Sequence, residues 1–296
     1  MKISPNGVRP GGQARRPRVR IRPLDRPEDF SELLEIQRLV WKHEEADLTP
    51  IHQFRITSRM GAILLGGYIG GRLVGFVYSF PAIHEGRLVQ HSHLLAVLPE
   101  YQGWGVGKAL KWAQRDRAIE LGHDLITWTF DPLQARNANL NLHALGAITR
   151  TYWKNFYGSQ RALILGPGVQ TDRFLVEWRV GEERLDERRR GNITKLEPGG
   201  MPRALEAKSD GRFSPPARPR LSLAERAILA EVPRAVADLR TRPGIIAAWQ
   251  GALRLVFHRY LAAGYAVDDF IFGDRCFYVL SRLPAAEHSG AGTDSR

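Results

Sequence analysis

The segment Leu94–Leu110, LLAVLPEYQGWGVGKAL, contains the pattern that decides the fold. An apolar run leads into a turn with Gly103, Gly105 and Gly107, and helical periodicity follows directly. Glycines at such a turn let the backbone adopt positive φ and approach a ligand closely. The free N–H groups of the first helical turn then face an anion, and the helix dipole favours negative charge there. The stretch therefore predicts a strand, a turn that cradles a pyrophosphate, and a helix.

Two other phosphate-binding patterns do not fit this turn. A dinucleotide-binding fold places Gly-x-Gly-x-x-Gly after its first strand, with an acidic residue about 20 residues later. Here the turn follows the fourth predicted strand, and that spacing is absent. A Walker loop has Ser or Thr after its Gly-Lys pair, whereas Gly107 and Lys108 are followed by Ala109.

The composition is that of a folded protein. Of the 296 residues, 43% are hydrophobic and 25% are charged, close to the average of globular chains. No apolar run approaches the roughly 18–20 residues of a membrane helix, and the basic N-terminus lacks the apolar core of a secretory signal. The one cysteine, Cys276, excludes an internal disulfide framework and a cysteine-rich zinc site. We therefore expect a cytoplasmic protein with no membrane partner and no metal.

The net charge of +12 is unevenly distributed. Residues 1–22 hold seven bases and no acids, and residues 182–220 hold ten bases and seven acids, whereas the other segments are almost neutral. Both basic segments lack hydrophobic periodicity, which predicts a leader and a linker. A basic tail can touch RNA or acidic lipid without specificity. We do not expect nucleic acid to be a partner of the folded part.

Hydrophobic periodicity alternates between the strand and helix patterns along the chain. Strands are predicted at residues 19–24, 62–69, 73–80, 87–98, 123–130, 147–152 and 173–180. Helices are predicted at residues 30–41, 51–60, from the glycine turn to 121, and at 134–145. Beyond residue 181 we expect helices at 222–239 and 244–263 and a hairpin of 265–272 with 276–280. This order indicates an α/β protein with a mixed central sheet.

The glycine turn resembles that of a known family. Gln102–Gly107 matches the Gln/Arg-x-x-Gly-x-Gly/Ala signature of the GNAT N-acyltransferase superfamily, and Leu95–Tyr101 resembles its strand and Val-x-Pro-x-(Tyr/Phe) lead-in. The element order is similar to the GNAT acyl-CoA N-acyltransferase fold over about residues 19–180, followed by a C-terminal helical and hairpin extension. The resemblance implies an enzyme, an acyltransferase that uses an acyl-coenzyme A (acyl-CoA) as co-substrate.

The resemblance also divides the chain into five segments. Because roughly 60 residues bury little core alone, the C-terminal piece is expected to pack against the first domain. The segments are a disordered basic leader (1–18), a GNAT acyltransferase domain (19–181), a polar linker or surface excursion (182–220), a C-terminal helix–helix–hairpin extension (221–284) and a disordered tail (285–296).

In the GNAT family, amides of the turn hold the pyrophosphate of coenzyme A. The main chain of the fourth strand pairs with the pantetheine arm where the fourth and fifth strands splay apart. The resemblance implies that binding role for Leu95, Val97, Gln102, Gly103, Trp104, Gly105, Val106, Gly107 and Lys108. Asn137 or Asn139 resembles the family's Asn that contacts the coenzyme.

Acyl transfer to an amine needs a base for the amine proton and a proton for the leaving thiolate. The fourth strand offers His91 and His93 on one face, by the two-residue period of a strand. Either is a candidate base at neutral pH, unless both are structural. The family's usual Tyr is missing from the helix at 134–145. Tyr152 and Tyr157, just beyond it, are candidate acids, unless they are packing aromatics.

The segment Thr129–Leu142, with Asn155–Gly158 and the C-terminal ending, is similar to a longer GNAT subgroup associated with N-acylamino-acid racemases. That likeness implies acetyl-CoA or succinyl-CoA as donor and an amino-acid acceptor, which would attack directly in a ternary complex. A succinyl carboxylate needs a cation, for which Arg136, Arg150 and Lys154 are candidates. The alternatives are a protein or peptide N-acetyltransferase, and a non-catalytic acyl-CoA-binding protein with a nucleic-acid-binding basic tail. A homodimer is compatible with the sequence.

Overall fold

The computed structural model of the chain describes residues 18–41, 45–158, 169–209, 211 and 213–283. Apart from Arg18, the predicted leader lies outside these residues, and so does the predicted tail at 285–296. The predicted domain boundaries within the chain stay predictions.

Eleven strands of the described ranges form one mixed sheet. Their order is β1-β2-β3-β4-β5-β7-β6-β10-β11-β9-β8, and all neighbours are antiparallel except the parallel pairs β4–β5 and β8–β9. The strands are β1 Arg20–Pro23, β2 Ile63–Ile69, β3 Arg72–His84, β4 Arg87–Val97, β5 Leu125–Phe130, β6 Ile148–Trp153, β7 Arg173–Arg179, β8 Arg203–Leu205, β9 Ala227–Val232, β10 Tyr265–Phe272 and β11 Cys276–Arg282.

Helices cover both faces of the sheet. They are α1 Pro27–Trp41, α2 Ile51–Arg59, α3 Val106–Glu120, α4 Ala135–Ala138, α5 Arg184–Arg190 and α6 Pro243–Ala262. A π-helical turn, Asn139–Ala144, continues α4, and short 3₁₀ turns lie at Glu45–Asp47, Pro99–Tyr101 and Val236–Leu239. Strand and helix positions up to residue 180 agree with the sequence prediction, although β3 extends to His84.

The two faces have separate hydrophobic cores. On one face, which we call the α1/α2 face, Phe30 and Leu33 of α1 and Phe54 of α2 pack on Phe76 and Tyr78 of β3. On the other, the α3 face, side chains of α3, the 135–144 helical segment and α6 join one continuous cluster. Because strand residues alternate between faces, neighbouring positions of β4 and β5 contribute to different cores.

The parallel pair β4–β5 is joined over a short distance. Ladder pairing is limited to Gln90 with Ile126 and His91 with Thr127 within the described chain. β4 then continues to Val97 and β5 to Phe130, so the two strands separate beyond this point. We call the resulting gap the β4–β5 opening. It leaves backbone groups of β4 without a partner strand on that side.

A β-bulge in β4 lies at the start of the opening. Tyr78 of β3 pairs with Leu94, but the next residue, Ser79, pairs with Ser92, so His93 is the additional residue. A bulge changes the alternation of side chains along a strand. As a result, Leu95 and Val97 face α3 as Ser92 does, so the residues of β4 that face α3 have even numbers before the bulge and odd numbers after it.

The C-terminal part continues the same sheet instead of forming a mainly helical extension. The predicted helix at 222–239 is wrong: residues 227–232 form β9, which is inserted between β8 and β11. Its side chains are buried on both faces, so its apolar run lacks the alternation that marks a half-exposed strand. The predicted helix and hairpin are present as α6, β10 and β11, and Val267 of β10 pairs with Thr149 of β6.

The close approach of β3 and β4 at Gly75 gives a test of the fold. A Cβ at this position would lie 2.5 Å from the carbonyl oxygen of Ala96. Because the obstacle is backbone, we expect Gly75→Ala to lower the free energy of unfolding by about 1–3 kcal/mol in urea titrations. Gly251→Ala is the matched control, since Gly251 lies in α6 with open space around its Cβ position. Equal losses of stability in both variants would contradict this packing.

Candidate active site

The N-terminus of α3 has the features of an anion cradle. Its N-cap residue is Gly105, with φ of 86°, and no side chain caps the helix. The N–H of Ala109 makes the first intrahelical bond, to the Gly105 carbonyl at 2.9 Å, so the N–H groups of Val106, Gly107 and Lys108 precede the hydrogen-bond ladder. The first turn carries no acidic residue that would compete with an anion. This geometry fits a pyrophosphate.

Neighbouring elements hold the cradle next to the β4–β5 opening. The exposed Gln102 donates from Nε2 to the Val97 carbonyl at 3.1 Å, which ties the turn to the end of β4. A Cβ on Gly107 would lie 3.7 Å from Val97 and 3.9 Å from both Leu95 and Leu140. The start of α3, the end of β4 and the π-helical turn therefore meet in contact. The structure thus places the turn and the end of β4 at one site, as the sequence predicts.

The other turn residues differ in their surroundings. Gly103 also has positive φ, at 81°, which a residue with a side chain rarely adopts. Trp104 is 41% exposed and its ring lies 5.5 Å from that of Tyr101. Asn137 is exposed one helical turn before Leu140, whereas Asn139 lines a cavity of about 430 Å³ beside the β10–β11 hairpin. The two asparagines therefore differ in their surroundings, since only Asn139 lines this cavity.

On the α1/α2 face, two histidines border the opening. The rings of His91 and His93 each lie 5.7 Å from the Phe80 ring. Both side chains are therefore on this face, although His93 is the bulge residue. The half-buried His91 hydrogen-bonds through Nδ1 to Thr127 Oγ1 of β5, at 3.0 Å. Burial, followed by the nearby His93, lowers the pKa of His91 to about 4. His93 is the more exposed of the two.

Tyr157 reaches the same face from the loop after β6. Its hydroxyl lies 3.4 Å from Thr129 Oγ1 of β5, two residues beyond Thr127 and past the last β4–β5 pair. The Arg173 guanidinium lies over its ring, 5.1 Å from the centroid. At 42% exposure, this phenol is open to a ligand. His91, His93, Thr129, Tyr157 and Arg173 therefore surround one end of the opening.

Tyr152, the other candidate acid, lies elsewhere. It is buried among Phe174, Phe257 and His258, and its hydroxyl donates to the Asp172 carboxylate. Burial and the charge of Asp172 raise the pKa of Tyr152 far above its ordinary value. In the sheet, β7 separates the strand of Tyr152 from β5. The structure brings Tyr157 to the opening and leaves Tyr152 in the core.

Sequence reasoning missed a buried lysine behind the opening. Lys111 of α3 donates from Nζ to Gln114 Oε1 at 2.6 Å and to Ser92 Oγ at 3.2 Å, and lies 3.7 Å from the Trp128 ring centroid. Full burial lowers the pKa of this amine well below its ordinary value. It thereby contacts β4 and β5 on the α3 face, opposite the histidines. The spacing of Lys111, Gln114 and Ala118 along the buried side of α3 was the available signal.

The low pKa of His91 makes stability depend on pH. Because its folded pKa of about 4 lies below the ordinary histidine value, the unfolded chain takes up this proton first as pH falls. The contribution of His91 to the free energy of unfolding is at its full value above about pH 6.5. It decreases as the pH falls towards 4, by roughly 3 kcal/mol at most. We expect His91→Gln to lose less stability than wild type between pH 7 and pH 4.5 in urea titrations. His52→Gln, at an exposed position, is the control; an unchanged pH slope in His91→Gln would refute the assignment.

The described part of the chain has neither a candidate metal site nor a candidate membrane-spanning helix. The described ranges contain no group of three or more His, Cys, Asp or Glu side chains that could hold a metal ion. Among the helices the structure describes, none has the length and apolar character needed to cross a membrane.

Three solved structures align with just over half of the chain. The Salmonella typhimurium protein yncA, solved with its cofactor acetyl-CoA, has 18% identity and a TM-score of 0.46 over 56% of this chain and 96% of its own. The ribosomal-protein-S18-alanine N-acetyltransferase of Escherichia coli has 16% identity and a TM-score of 0.44, with the same coverage of 56% and 96%. The Thermoplasma acidophilum paia N-acetyltransferase, solved with coenzyme A, has 17% identity and a TM-score of 0.39 over 55% and 99%.

Sequence comparison assigns the family. No curated protein matches the chain. Residues 28–147 match the model of the acetyltransferase (GNAT) family, and this range runs from α1 through the cradle and the β4–β5 opening to the end of the π-helical turn. Residues 28–147 therefore form a GNAT acetyltransferase-family domain within the chain.

Proposed function

We propose that the chain transfers an acetyl group from acetyl-CoA to the amine of a small amino acid, by direct attack in a ternary complex. The observation that carries this proposal is the β4–β5 opening. On the α3 face, the uncapped N-terminus of α3 borders this opening. On the α1/α2 face, His93 and Tyr157 border it. A donor bound on one face would thus present its thioester to an acceptor on the other.

The donor would be bound mainly by backbone. N–H groups at the start of α3 would hold the pyrophosphate, supported by the charge of Lys108. The edge of β4 beyond its last pair with β5, from Leu95 to Val97, would pair with the amides of the pantetheine arm, although the Val97 carbonyl already accepts from Gln102. The positive φ of Gly103 and Gly105 keeps side chains away from this approach. These groups bind the coenzyme and hold its acyl end in the opening.

The histidines would have unequal roles. With a pKa of about 4, His91 stays neutral at physiological pH but is a weak proton acceptor. His93, exposed at the bulge, would take the proton of the acceptor ammonium. The freed amine attacks the thioester carbonyl, and the C–N bond forms as the C–S bond breaks. The Tyr157 hydroxyl gives its proton to the departing sulfur, and its phenolate then takes the remaining extra proton from the attacking nitrogen, which leaves the neutral amide and the free thiol. His91 would then orient the site through its bond to Thr127.

Arg173 supports an amino-acid acceptor. Its guanidinium lies beside Tyr157 and interacts electrostatically with the buried Asp131, but it forms no close ion pair within the described ranges. A guanidinium binds a carboxylate well, and often through two hydrogen bonds. Arg150, by contrast, is already paired with Glu177 at 3.0 Å. The acceptor carboxylate is the proposed partner of Arg173; a succinyl carboxylate on the donor is the alternative that the assay below distinguishes.

The test is thiol release from acetyl-CoA and succinyl-CoA with pooled L- and D-amino acids. Each active amino acid is compared with the amine that lacks its carboxylate. We expect release that depends on the acceptor, favours acetyl-CoA and falls when the carboxylate is missing. His93→Gln should lower kcat/KM by about 100-fold or more. Release with peptides alone, or none with any acceptor, would reject the amino-acid proposal.

Charge reversal at Lys108 separates coenzyme binding from helix stability. An acidic residue in the first turn of α3 interacts favourably with the helix dipole, by about 0.3–1 kcal/mol, but repels a pyrophosphate. We therefore expect Lys108→Glu to keep its melting temperature and to bind coenzyme A about tenfold more weakly or worse in calorimetric titrations. Lys108→Met, which removes the charge without reversing it, should lie in between. Wild-type affinity in Lys108→Glu would place the pyrophosphate elsewhere.

The two tyrosines are expected to fail in different ways. Tyr157→Phe removes the hydroxyl at the opening and should lower kcat by about 10- to 100-fold, with little change in stability. Tyr152→Phe removes a donor from the buried Asp172 and should lower the free energy of unfolding by about 1–3 kcal/mol. Steady-state kinetics and urea titrations on both variants measure these effects. A neutral Tyr157→Phe would exclude Tyr157 as the acid.

A further inference from the structure

Two side chains of α6 bind the residues that immediately precede β7. Gln250 and Arg254 are one helical turn apart, so both project from the same side of α6. Gln250 accepts from the Gln170 N–H at 3.0 Å and donates to the Gln170 carbonyl at 2.6 Å. Arg254 donates to both carboxylate oxygens of Asp172, with its closest contact at 2.8 Å. The C-terminal helix thereby fixes residues 170–172.

Residues 171 and 172 in turn hold the loop that carries Tyr157. We call Lys154–Gly158 the 154–158 turn. The Asp172 carboxylate, 1% exposed, accepts from the Asn155 N–H at 2.9 Å. The Thr171 carbonyl accepts from the Phe156 N–H at 2.9 Å, and Thr171 Oγ1 accepts from the Tyr157 N–H at 2.8 Å. Three successive N–H groups of the turn therefore bond to two adjacent residues.

The turn needs this support because of its own composition. Asn155 has φ of 48°, a left-handed conformation that asparagine tolerates better than most residues but that is less favourable for it than for glycine. Phe156 and Tyr157 are 47% and 42% exposed, so little hydrophobic burial fixes them. The position of the Tyr157 hydroxyl beside Thr129 thus depends on hydrogen bonds to Thr171 and Asp172.

We propose that Arg254 of the C-terminal part is a positioning residue for acyl transfer: through Asp172 and the 154–158 turn, it fixes Tyr157 and the acceptor side of the β4–β5 opening. This inference rests on the proposed function for its kinetic consequence, but its structural consequence does not depend on that function. It also assigns the C-terminal part a role in the site beyond completing the sheet. Removal of the guanidinium would release the turn and leave the α3 cradle unchanged.

The experiment compares Arg254→Met, Arg254→Lys and Arg259→Met. Arg259 is the matched control, since it lies on α6 and donates to the Leu221 carbonyl, away from the turn. For Arg254→Met we expect kcat/KM for the acceptor to fall about 10- to 100-fold and the KM for acetyl-CoA to stay within about twofold of wild type. Arg254→Lys should recover part of the loss, because an ammonium still pairs with Asp172.

A second readout needs no turnover. Lys154 is exposed in the turn, and trypsin cleavage after it can be followed by mass spectrometry. We expect Arg254→Met to be cleaved there at least several-fold faster than wild type and Arg259→Met. If the wild type transfers no acetyl group, the proposed function fails while cleavage still decides this inference. Wild-type cleavage and wild-type kinetics in Arg254→Met would overturn it.

Loss of the arginine leaves a buried carboxylate without its cation and can prevent folding. Thr171→Val covers that case, since it keeps the shape of a buried residue and removes the hydroxyl that accepts from the Tyr157 N–H and donates to Asn155 Oδ1 in the same turn. It should reproduce the faster cleavage after Lys154 and the loss of acceptor kcat/KM. If Thr171→Val folds and behaves as wild type in both measurements, the 154–158 turn does not depend on these bonds and the proposal is wrong.

Discussion

The separation of β4 from β5 is the constraint on which the rest of the site depends. Parallel pairing ends at His91 and Thr127, and both strands then continue in contact with other elements. On the α3 face, Lys111 touches Ser92 of β4 and the Trp128 ring of β5. These are contacts of the Lys111 side chain with other side chains, so they do not close the gap between the two strand backbones. Free backbone groups in a sheet are costly unless water or a ligand pairs with them, which supports the proposal that this gap receives the pantetheine arm.

Local sequence was sufficient to predict the cradle. Gly103 and Gly105 both have positive φ, a conformation that glycine adopts far more readily than other residues, so the sequence of the turn itself indicates its shape. The helix after the turn and the apolar strand before it follow from periodicity alone. The prediction of a sheet with α1, α2 and α3 therefore agrees with the structure up to residue 180.

The features that sequence could not predict depend on distant partners. The bulge at His93 comes from the register with β3, which a period of two does not encode. Tyr152 and Tyr157 have similar sequence contexts, and only Asp172 and Thr129 distinguish a buried hydroxyl from one at the opening. The apolar run of β9 is compatible with a helix or a strand, and it forms a strand because it pairs with β8 and β11.

The proposed donor and acceptor sides of the site are held in place by different kinds of contact. The donor side uses the backbone of α3 and β4, which secondary structure fixes without further support. The acceptor side uses side chains on an exposed turn, whose position must come from specific partners. Burying Asp172 with Arg254 gains little net stability, because desolvation offsets the attraction. Such a pair is instead selective for one geometry, since only the arrangement in which Asp172 meets Arg254, Tyr152 and Asn155 satisfies its oxygens. The ion pair of Asp172 with Arg254 therefore defines the conformation of the 154–158 turn more than it raises the stability of the fold.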